Sequence, residues 1–307
     1  MSTDGHADQP RLHADELPID TGLVRRLVSR AFPDLAVLDL RPVAGSGSSN
    51  ALFHLGDDLV VRLPRQPGGG VGIVKESRWL PVVAGAVEVA VPEIVGVGEP
   101  DLGYPERWSI ARWLPGDVAT PAKTGSVPLG VDLARFLAAL RTVAVPEGTV
   151  SAELSSYRAL PLVDLNPDFR ELVEECGPLD VGIDLHEALR VWELATDACS
   201  TTAEPVFLHG DLVAENLLVR DGRLTGVLDL GGLAVGDPTV DLVVAWEVLD
   251  EAGRAALRRE LDVDDATWTT SRGWALLIAL MTFAYYGETM PRRCADRLVM
   301  ARAALAG

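Results

Sequence analysis

The stretch that decides the fold is Leu208-His209-Gly210-Asp211-Leu212-Val213-Ala214-Glu215-Asn216-Leu217-Leu218-Val219, followed by Val227-Leu228-Asp229-Leu230-Gly231-Gly232. Asp211 and Asn216 stand five residues apart in a loop between apolar segments, and Asp229 ends the next apolar segment. Carboxylate and amide oxygens so placed suit Mg²⁺, which binds one or two carboxylates together with substrate phosphates. The spacing therefore predicts a magnesium site beside a carboxylate that can accept the proton of an attacking hydroxyl, and the alternative is a polar hairpin that only caps helices.

The same stretch is similar to the protein-kinase pattern His-x-Asp-x4-Asn followed by Asp-x-Gly. Gly210 stands where protein kinases usually carry arginine, and Gly236-Asp237-Pro238-Thr239-Val240-Asp241-Leu242 follows Asp229. With these two features the sequence resembles the aminoglycoside phosphotransferase family, small-molecule kinases that phosphorylate hydroxyls of antibiotics or metabolites. The resemblance covers nearly the whole chain. It implies an α+β, bilobal protein-kinase-like fold with a small β-rich N-lobe and a larger helical C-lobe.

The resemblance also implies a role for each matched residue. Asp211 would be the catalytic residue that positions or deprotonates the acceptor hydroxyl. Asn216 and Asp229 would be the Mg²⁺ ligands. The residues that would brace this loop rather than react are His209, Asp237 and Asp241.

Hydropathy patterning predicts three parts of the chain. Residues 1–18 are polar and without periodicity, which is typical of a loose tail. Short apolar segments and glycine-rich turns predict a β-rich N-lobe over 19–115, which the resemblance implies is nucleotide-binding. Apolar residues at i, i+3 and i+4 predict a helical C-lobe over 116–307, which the resemblance implies carries the catalytic loop and the acceptor site.

A glycine-rich hairpin in the N-lobe fits the nucleotide loop of a kinase, although such a hairpin is more often a simple turn. Glycine lets backbone N–H groups approach phosphates, and serine hydroxyls donate as well. The residues predicted to contact the nucleotide here are Ser46, Gly47, Ser48, Ser49 and Asn50.

Four further residues are assigned to the nucleotide by their place in the kinase pattern. Arg62 stands where the kinase fold has a strand lysine on the phosphates, and the alternative is a solvated strand arginine. Glu76 would pair with Arg62, although helix faces carry such acids everywhere. Ala111 and Trp113 would meet the nucleobase at the connector between lobes, and the choice between ATP and GTP stays open.

The acceptor site is predicted between the catalytic loop and the C-terminal helices, with Asp250, Trp274, Tyr285 and Glu288 as its residues. Between positions 204 and 250 the chain has nine acidic residues against two arginines, which would attract an amine-bearing acceptor. Three of those acids already belong to magnesium binding and catalysis, and aromatic residues at helical spacing are usually core.

Composition narrows the class of protein. The 307 residues carry 27 Lys+Arg against 45 Asp+Glu, a net charge of −18, which argues against nucleic acid as a partner. Three cysteines without metal-ligand spacing indicate a reducing compartment. No signal peptide is visible, and the longest apolar stretch, from Trp274 to Tyr286, has 13 residues, short of the ~20 that a membrane span needs. We therefore expect a cytoplasmic protein, a monomer or homodimer, with no membrane partner.

These observations predict a Mg²⁺-dependent phosphotransferase that moves the γ-phosphoryl of ATP or GTP to a hydroxyl of an antibiotic-like small molecule and so confers resistance. Acidity makes an aminoglycoside the first expectation, followed by a macrolide or a nucleoside antibiotic. Two alternatives stay open. One is a kinase of a primary metabolite such as choline, a sugar or homoserine, and the other is a non-catalytic nucleotide-binding regulator.

Overall fold

The computed structural model describes residues 12–43, 47–121, 126–145, 153–200 and 204–307. The chain divides into two compact units. The first comprises residues up to Val74 together with Ile94–Trp113, and the second comprises Lys75–Glu93 and Leu114–Gly307. The lobe boundary after residue 115 stays a prediction, because residues 75–93 belong to the second unit and no single cut separates the two.

The first unit is built on a five-stranded antiparallel sheet. Its strands are β1 (Leu40–Pro42), β2 (Asn50–Leu55), β3 (Leu59–Pro64), β4 (Ile94–Gly98) and β5 (Trp108–Arg112), in the order β1-β2-β3-β5-β4. Side chains of β2 alternate between buried and partly exposed, as expected of a strand with one face on a core. The helix α1 (Thr21–Ala31) contributes its buried stripe to that core, where Phe32 meets Trp108 edge to face at 5.6 Å.

Residues 12–18, which we expected in a loose tail, are instead fixed to the first unit. The backbone N–H of Leu17 donates to the carbonyl of Arg65 at 2.7 Å, and the side chains of Arg65 and Glu16 form a buried ion pair. These contacts join residues 16 and 17 to Arg65, just after β3. Contacts to so distant a position leave no hydropathy periodicity in the segment itself. Residues 1–11 lie outside the described residues.

The second unit is mainly helical. Its helices, counting the part of α2 from Lys75 onward, are α2 (Gly70–Ala84), α3 (Val127–Arg141), α4 (Asn166–Cys176), α5 (Leu185–Ala198), α6 (Val243–Val248), α7 (Glu251–Glu260), α8 (Asp265–Tyr286) and α9 (Pro291–Ala306). Its core lies along α8, which packs against α4, α5, α6 and α9. Within the described ranges no helix is both long enough and apolar enough to span a bilayer. The predicted α+β class, with a β-rich first part and helical C-terminal part, is confirmed.

Two small sheets carry the decisive stretch of sequence within the second unit. Their strands are β6 (Asp117–Val118), β7 (Val206–Leu208), β8 (Leu217–Arg220), β9 (Arg223–Val227) and β10 (Ala234–Gly236). β7 pairs with β10, while β8 lies between β6 and β9. Because the loops that follow β7 and β9 also carry Asp211 and Asp229, these pairings set the framework of the site.

Candidate active site

Hydrogen bonds join the three residues of the predicted catalytic centre. Asp211 lies in the loop after β7, Asn216 directly precedes β8, and Asp229 follows β9. The Asn216 amide nitrogen donates to the Asp211 backbone carbonyl at 2.8 Å, and the backbone N–H of Leu228 donates to the Asn216 carbonyl at 2.8 Å. The β8–β9 hairpin thereby brings the backbone just before Asp229 against that of Asn216.

Backbone conformation and a close steric approach explain why position 210 is glycine. Its φ is +79°, and a Cβ there would lie 2.5 Å from the carbonyl oxygen of Gly232. Any side chain, including the arginine usual in protein kinases, would therefore strain the backbone and collide with the segment after Asp229. The close approach of these two backbone segments fixes the catalytic loop against the Asp229 loop.

Asp241 supports the catalytic loop through hydrogen bonds to its backbone, as the resemblance implied. Its two carboxylate oxygens accept the backbone N–H groups of His209 and Gly210, at 2.7 Å and 2.8 Å. Asp241 is fully buried, and this burial raises the pKa of its carboxyl. These two hydrogen bonds from backbone N–H groups to one carboxylate fix the conformation of the loop at His209 and Gly210.

His209 is held in place by the backbone rather than facing a substrate. Its Nδ1 accepts the backbone N–H of Asp211 at 3.2 Å, and its Nε2 lies 3.0 Å from the carbonyl oxygen of Leu228. A carbonyl requires a donor, so we assign the proton to Nε2 and the lone pair to Nδ1. The ring therefore links Asp211 to the residue before Asp229 and supports the structural role expected for it.

The donor set fits magnesium. With its amide nitrogen turned toward Asp211, Asn216 keeps its carbonyl oxygen as the remaining polar atom of the side chain. Asp229 adopts a left-handed backbone conformation, φ 55° and ψ 66°, which non-glycine residues rarely adopt and which is often found at functional sites. Among the described residues no group of three or more His, Cys, Asp or Glu is placed to hold a metal ion.

Arg158 pairs with the predicted catalytic aspartate. Its Nη1 donates to Oδ1 of Asp211 and to the carbonyl of Gly210, the latter at 2.7 Å. Burial raises the pKa of Asp211, but the nearby positive charges, that of Arg158 foremost, together with the hydrogen bond from Arg158, hold that pKa below its ordinary value. Asp211 is therefore ionised at neutral pH and able to accept a proton.

The C-terminal helix supports the other end of the catalytic loop. The backbone N–H of Ala214 donates to Glu247 Oε2 at 2.7 Å, and Glu247 forms a buried ion pair with Arg297 of α9. Glu215, in the same loop, accepts from Arg293 and Arg297. The loop is thus bound to both α6 and α9.

Three residues of the predicted nucleotide loop are tied to the first unit by their backbone carbonyls. Arg65 Nε donates to the carbonyl of Gly47 at 3.1 Å, and the backbone N–H of Arg65 donates to that of Ser49 at 2.9 Å. The carbonyl of Ser48 lies 2.8 Å from His13 Nε2. Asn50 begins β2, whereas Ser46 lies outside the described residues. Because carbonyls make these contacts, the backbone N–H groups are not the atoms that anchor the loop.

The other predicted nucleotide residues lie on both units. Arg62 is buried on β3, and Glu76 is buried on α2 in the second unit, so their ion pair stays a prediction. Ala111 is a buried residue of β5, paired with both neighbouring strands. The indole of Trp113 packs on His54 at 4.3 Å, and its backbone N–H donates to the carbonyl of Asp58. The backbone N–H of Trp113 therefore already has a hydrogen-bond acceptor, so other atoms of the connector would have to contact a nucleobase.

Two of the four predicted acceptor residues make contacts within the protein, while the assignment of all four to an acceptor stays a prediction. Trp274 has no exposed surface and lies in the helical core, as aromatic residues at helical spacing usually do. Asp250 accepts from the hydroxyl of Ser126 and from the backbone N–H of Gly253, capping α7. Tyr285 and Glu288 are exposed at and just beyond the end of α8, so they stay candidates.

Sequence reasoning missed the residues that contact this loop from distant positions. Arg158 stands in an unremarked Ser-Ser-Tyr-Arg segment, and Arg297 in an ordinary amphipathic helix. Lys75 is a third such residue: its buried Nζ donates to the carbonyl of Leu233 at 3.0 Å, and burial lowers its pKa. The one sequence signal was the excess of acids in the loop region, which require cations from elsewhere.

The chain is similar to known phosphotransferases. The sequence model of the phosphotransferase enzyme family matches residues 39–275, more than half of the chain. An aminoglycoside 3′-phosphotransferase from Escherichia coli is 27% identical over 189 residues, which span 57% of this chain and 61% of that protein. The match therefore leaves more than a third of that relative's length outside it.

Solved structures show the same fold. The GDP complex of wild-type aminoglycoside 2′-phosphotransferase-IIIa superposes with a TM-score of 0.67 at 21% identity, covering 94% of this chain and 99% of that one. A macrolide 2′-phosphotransferase from Brachybacterium faecium superposes with a TM-score of 0.59 at 23% identity, covering 93% and 98%. At this identity the likeness shows the fold alone, and it confirms the predicted protein-kinase-like architecture.

Proposed function

Because the chain belongs to the phosphotransferase enzyme family, we propose that it transfers the γ-phosphoryl group of ATP or GTP to a hydroxyl of an antibiotic-like small molecule. One observation carries the proposal. Hydrogen bonds join Asn216 to Asp211 and to Leu228, the residue before Asp229, and His209 of the same loop also contacts Leu228. Phosphoryl transfer depends on such positioning and on electrostatic stabilisation rather than on covalent chemistry by the protein.

In the proposed reaction Asp211 orients the acceptor hydroxyl and accepts its proton as the oxygen attacks the γ-phosphorus. The bond from the γ-phosphorus to the β–γ bridging oxygen breaks, and ADP or GDP leaves. The amide oxygen of Asn216 and the carboxylate of Asp229 would hold Mg²⁺, which when bound neutralises charge on the phosphates. Asp241 and His209 keep the loop rigid, so that the carboxylate of Asp211 does not reorganise during the reaction.

The nucleotide would be held by the first unit and by the connector. We assign the phosphates to Arg62 and to the loop of residues 46–50, with Glu76 orienting Arg62, and the nucleobase to residues 111–113. The similar aminoglycoside 2′-phosphotransferase-IIIa was solved with GDP, which supports testing GTP beside ATP. We keep residues 19–115 as the proposed nucleotide-binding lobe and 116–307 as the proposed acceptor lobe.

The proposed activity is tested by coupled nucleotide consumption with ATP and with GTP, against aminoglycosides, macrolides, nucleoside antibiotics and primary metabolites. We expect turnover that requires Mg²⁺ and one antibiotic class, with phosphate recovered on the acceptor. Turnover on choline, a sugar or homoserine alone would identify a metabolic kinase instead. Nucleotide binding without turnover on any acceptor would contradict the proposal in favour of a regulator.

Asp229→Ala is expected to weaken binding of the Mg²⁺·nucleotide complex by roughly 10–100-fold, because it removes the only carboxylate of the proposed pair of ligands. Titration of nucleotide at several Mg²⁺ concentrations measures the effect, which should be small when Mg²⁺ is omitted. Asp221→Ala, in the exposed turn between β8 and β9, is the matched control. Unchanged Mg²⁺ dependence in Asp229→Ala would exclude Asp229 as a ligand.

The activity is expected to be insensitive to protonation of Asp211 between pH 5 and pH 8. Arg158 lowers the pKa of this carboxyl, so the ionised form persists as the pH falls and is lost only below the ordinary aspartate value of about 3.9. Acceptor kcat/KM measured at saturating Mg²⁺·nucleotide checks this. An acidic limb between pH 5 and 7 that vanishes in the residual activity of an Asp211 variant would contradict it.

A further inference from the structure

The ion pair of Arg158 and Asp211 lies at the point where an acceptor hydroxyl would have to bind. The side chains are 22% and 37% exposed, so both reach solvent. Arg158 Nη1 spans Asp211 Oδ1 and the Gly210 carbonyl, while Nε donates to the hydroxyl of Tyr157 at 2.9 Å. A molecule that approaches Asp211 therefore meets a guanidinium and a phenol ring together with the carboxylate.

The backbone that carries Arg158 is fixed to the same unit. Residues Tyr157–Ala159 form a short 3₁₀ helix whose first turn is capped by the Ser156 hydroxyl. The backbone N–H of Asp237 donates to the carbonyl of Ala159 at 3.0 Å, and a Cβ on Gly236 would lie 2.2 Å from that carbonyl oxygen. The backbone of Arg158 is thus held in place by contacts on both sides, and from there its side chain reaches Asp211.

Two glutamates in and beside the catalytic loop also form ion pairs with arginines. Glu215 is paired with Arg293 and Arg297, and Glu247 is paired with Arg297. The positive charge of Arg297 contributes to the lowered pKa of Asp211, and Asp211 in turn helps to raise the pKa of Arg293. The carboxylates of Asp211, Glu215 and Glu247 are therefore matched by the guanidiniums of Arg158, Arg293 and Arg297, so these six groups carry no excess of negative charge.

Aromatic side chains complete the surroundings. Tyr157 is 42% exposed, and its hydroxyl lies 3.9 Å from the sulfur of Met281 on α8. Tyr285 is 57% exposed and packs edge to face on Tyr286, whose ring lies 5.0 Å from the guanidinium carbon of Arg293. Exposed ring faces of this kind bind apolar or planar surfaces of a ligand.

We propose that Arg158, with these aromatic side chains, makes the site select a hydroxyl compound that has an apolar or stackable ring face and at most one positive charge. The inference rests on the proposed phosphotransferase activity and specifies its acceptor. A polycation would place several ammonium groups beside three guanidiniums without an excess of carboxylates to receive them, which opposes binding. Glu288, exposed two residues beyond α8, leaves room for one positive charge.

The experiment compares acceptors that differ in charge but share hydroxyls. Wild-type enzyme is assayed by nucleotide consumption with macrolides and nucleoside antibiotics, with an aminoglycoside, and with the same aminoglycoside after acetylation of all its amines. We expect kcat/KM for the acetylated form to exceed that for the amine form by about tenfold or more, since one repulsive contact near a surface has this magnitude. The best acceptor is expected among the compounds of zero or one positive charge.

Arg158 itself is tested by Arg158→Gln and Arg158→Lys. Arg158→Gln is expected to improve the ratio of kcat/KM for amine over acetylated aminoglycoside by about tenfold. It is also expected to move the acidic limb of kcat/KM upward in pH, which a merely structural residue would not do. Arg158→Lys keeps the charge and should keep the selectivity with a lower kcat. Arg170→Gln, exposed on α4, is the matched control and should behave as wild type.

The outcomes separate this inference from the proposed function. Wild-type turnover that favours the polycationic form would overturn the inference and leave phosphotransfer intact. Unchanged selectivity in a folded Arg158→Gln variant, as judged by thermal unfolding and nucleotide binding, would overturn the role of Arg158. Consumption of nucleotide with none of the acceptors would remove the proposed function and this inference with it.

Discussion

Asp211→Asn is expected to lower kcat by roughly 10²–10⁴-fold, the range that a positioned general base contributes. The amide keeps the size of the side chain but does not accept the proton of the attacking hydroxyl. Binding of Mg²⁺·nucleotide should change little, because Asn216 and Asp229 are the proposed ligands. Single-turnover phosphorylation of the acceptor measures the first effect, and nucleotide titration measures the second.

The control for this variant is Asp197→Asn, on the exposed side of α5, which makes the same chemical change away from the loop. It should retain full activity. Asp211→Asn also removes a charge from its pair with Arg158, so thermal unfolding must show that the fold is kept. A variant that loses nucleotide binding while its single-turnover rate is unchanged would reverse the roles that we assign to Asp211 and Asp229.

The proximity of the three residues of the proposed catalytic centre was predictable because they are close in the chain. Asp211 and Asn216 share one loop, and Asp229 follows the hairpin that begins there, so spacing alone carries their geometry. The glycine at position 210 was visible as a departure from the protein-kinase pattern. Its cause, the approach of the Gly232 carbonyl, lies in the tertiary structure.

The surroundings of Asp211 were not predictable for the opposite reason. Arg158 lies 53 residues before Asp211, and Arg297 lies 50 residues after Glu247. No spacing rule links such positions, and arginine is common on helix surfaces. The same limit affected Trp274, because composition cannot distinguish an aromatic residue that faces a ligand from one in the core.

The charge of the acceptor site illustrates this limit further. Nine acids against two arginines suggested an anionic surface between residues 204 and 250. In the structure several of these acids bind arginines or backbone N–H groups, including Asp211, Asp241 and Glu247. A local count of charges thus omits the cations that other segments bring, and our proposal about the acceptor rests on those cations.

Arg297→Met is expected to reduce the free energy of unfolding by about 3–5 kcal/mol, the effect of leaving one member of a buried ion pair without its partner. Arg297 and Glu247 are 4% and 1% exposed, so water cannot replace the lost contact. Urea unfolding followed by fluorescence measures the change. Arg292→Met removes the same side chain from an exposed position five residues earlier on α9 and should lie within about 0.5 kcal/mol of wild type.

The double variant Arg297→Met with Glu247→Gln decides whether the cost arises from the unpaired charge. Glutamine keeps an oxygen for the backbone N–H of Ala214, which Glu247 accepts at 2.7 Å, but it carries no charge. The double variant should therefore be more stable than the sum of the single changes predicts, by about 1–3 kcal/mol. Additive losses would show that packing of the arginine stem against α6, rather than its charge, holds the catalytic loop to the C-terminal helix.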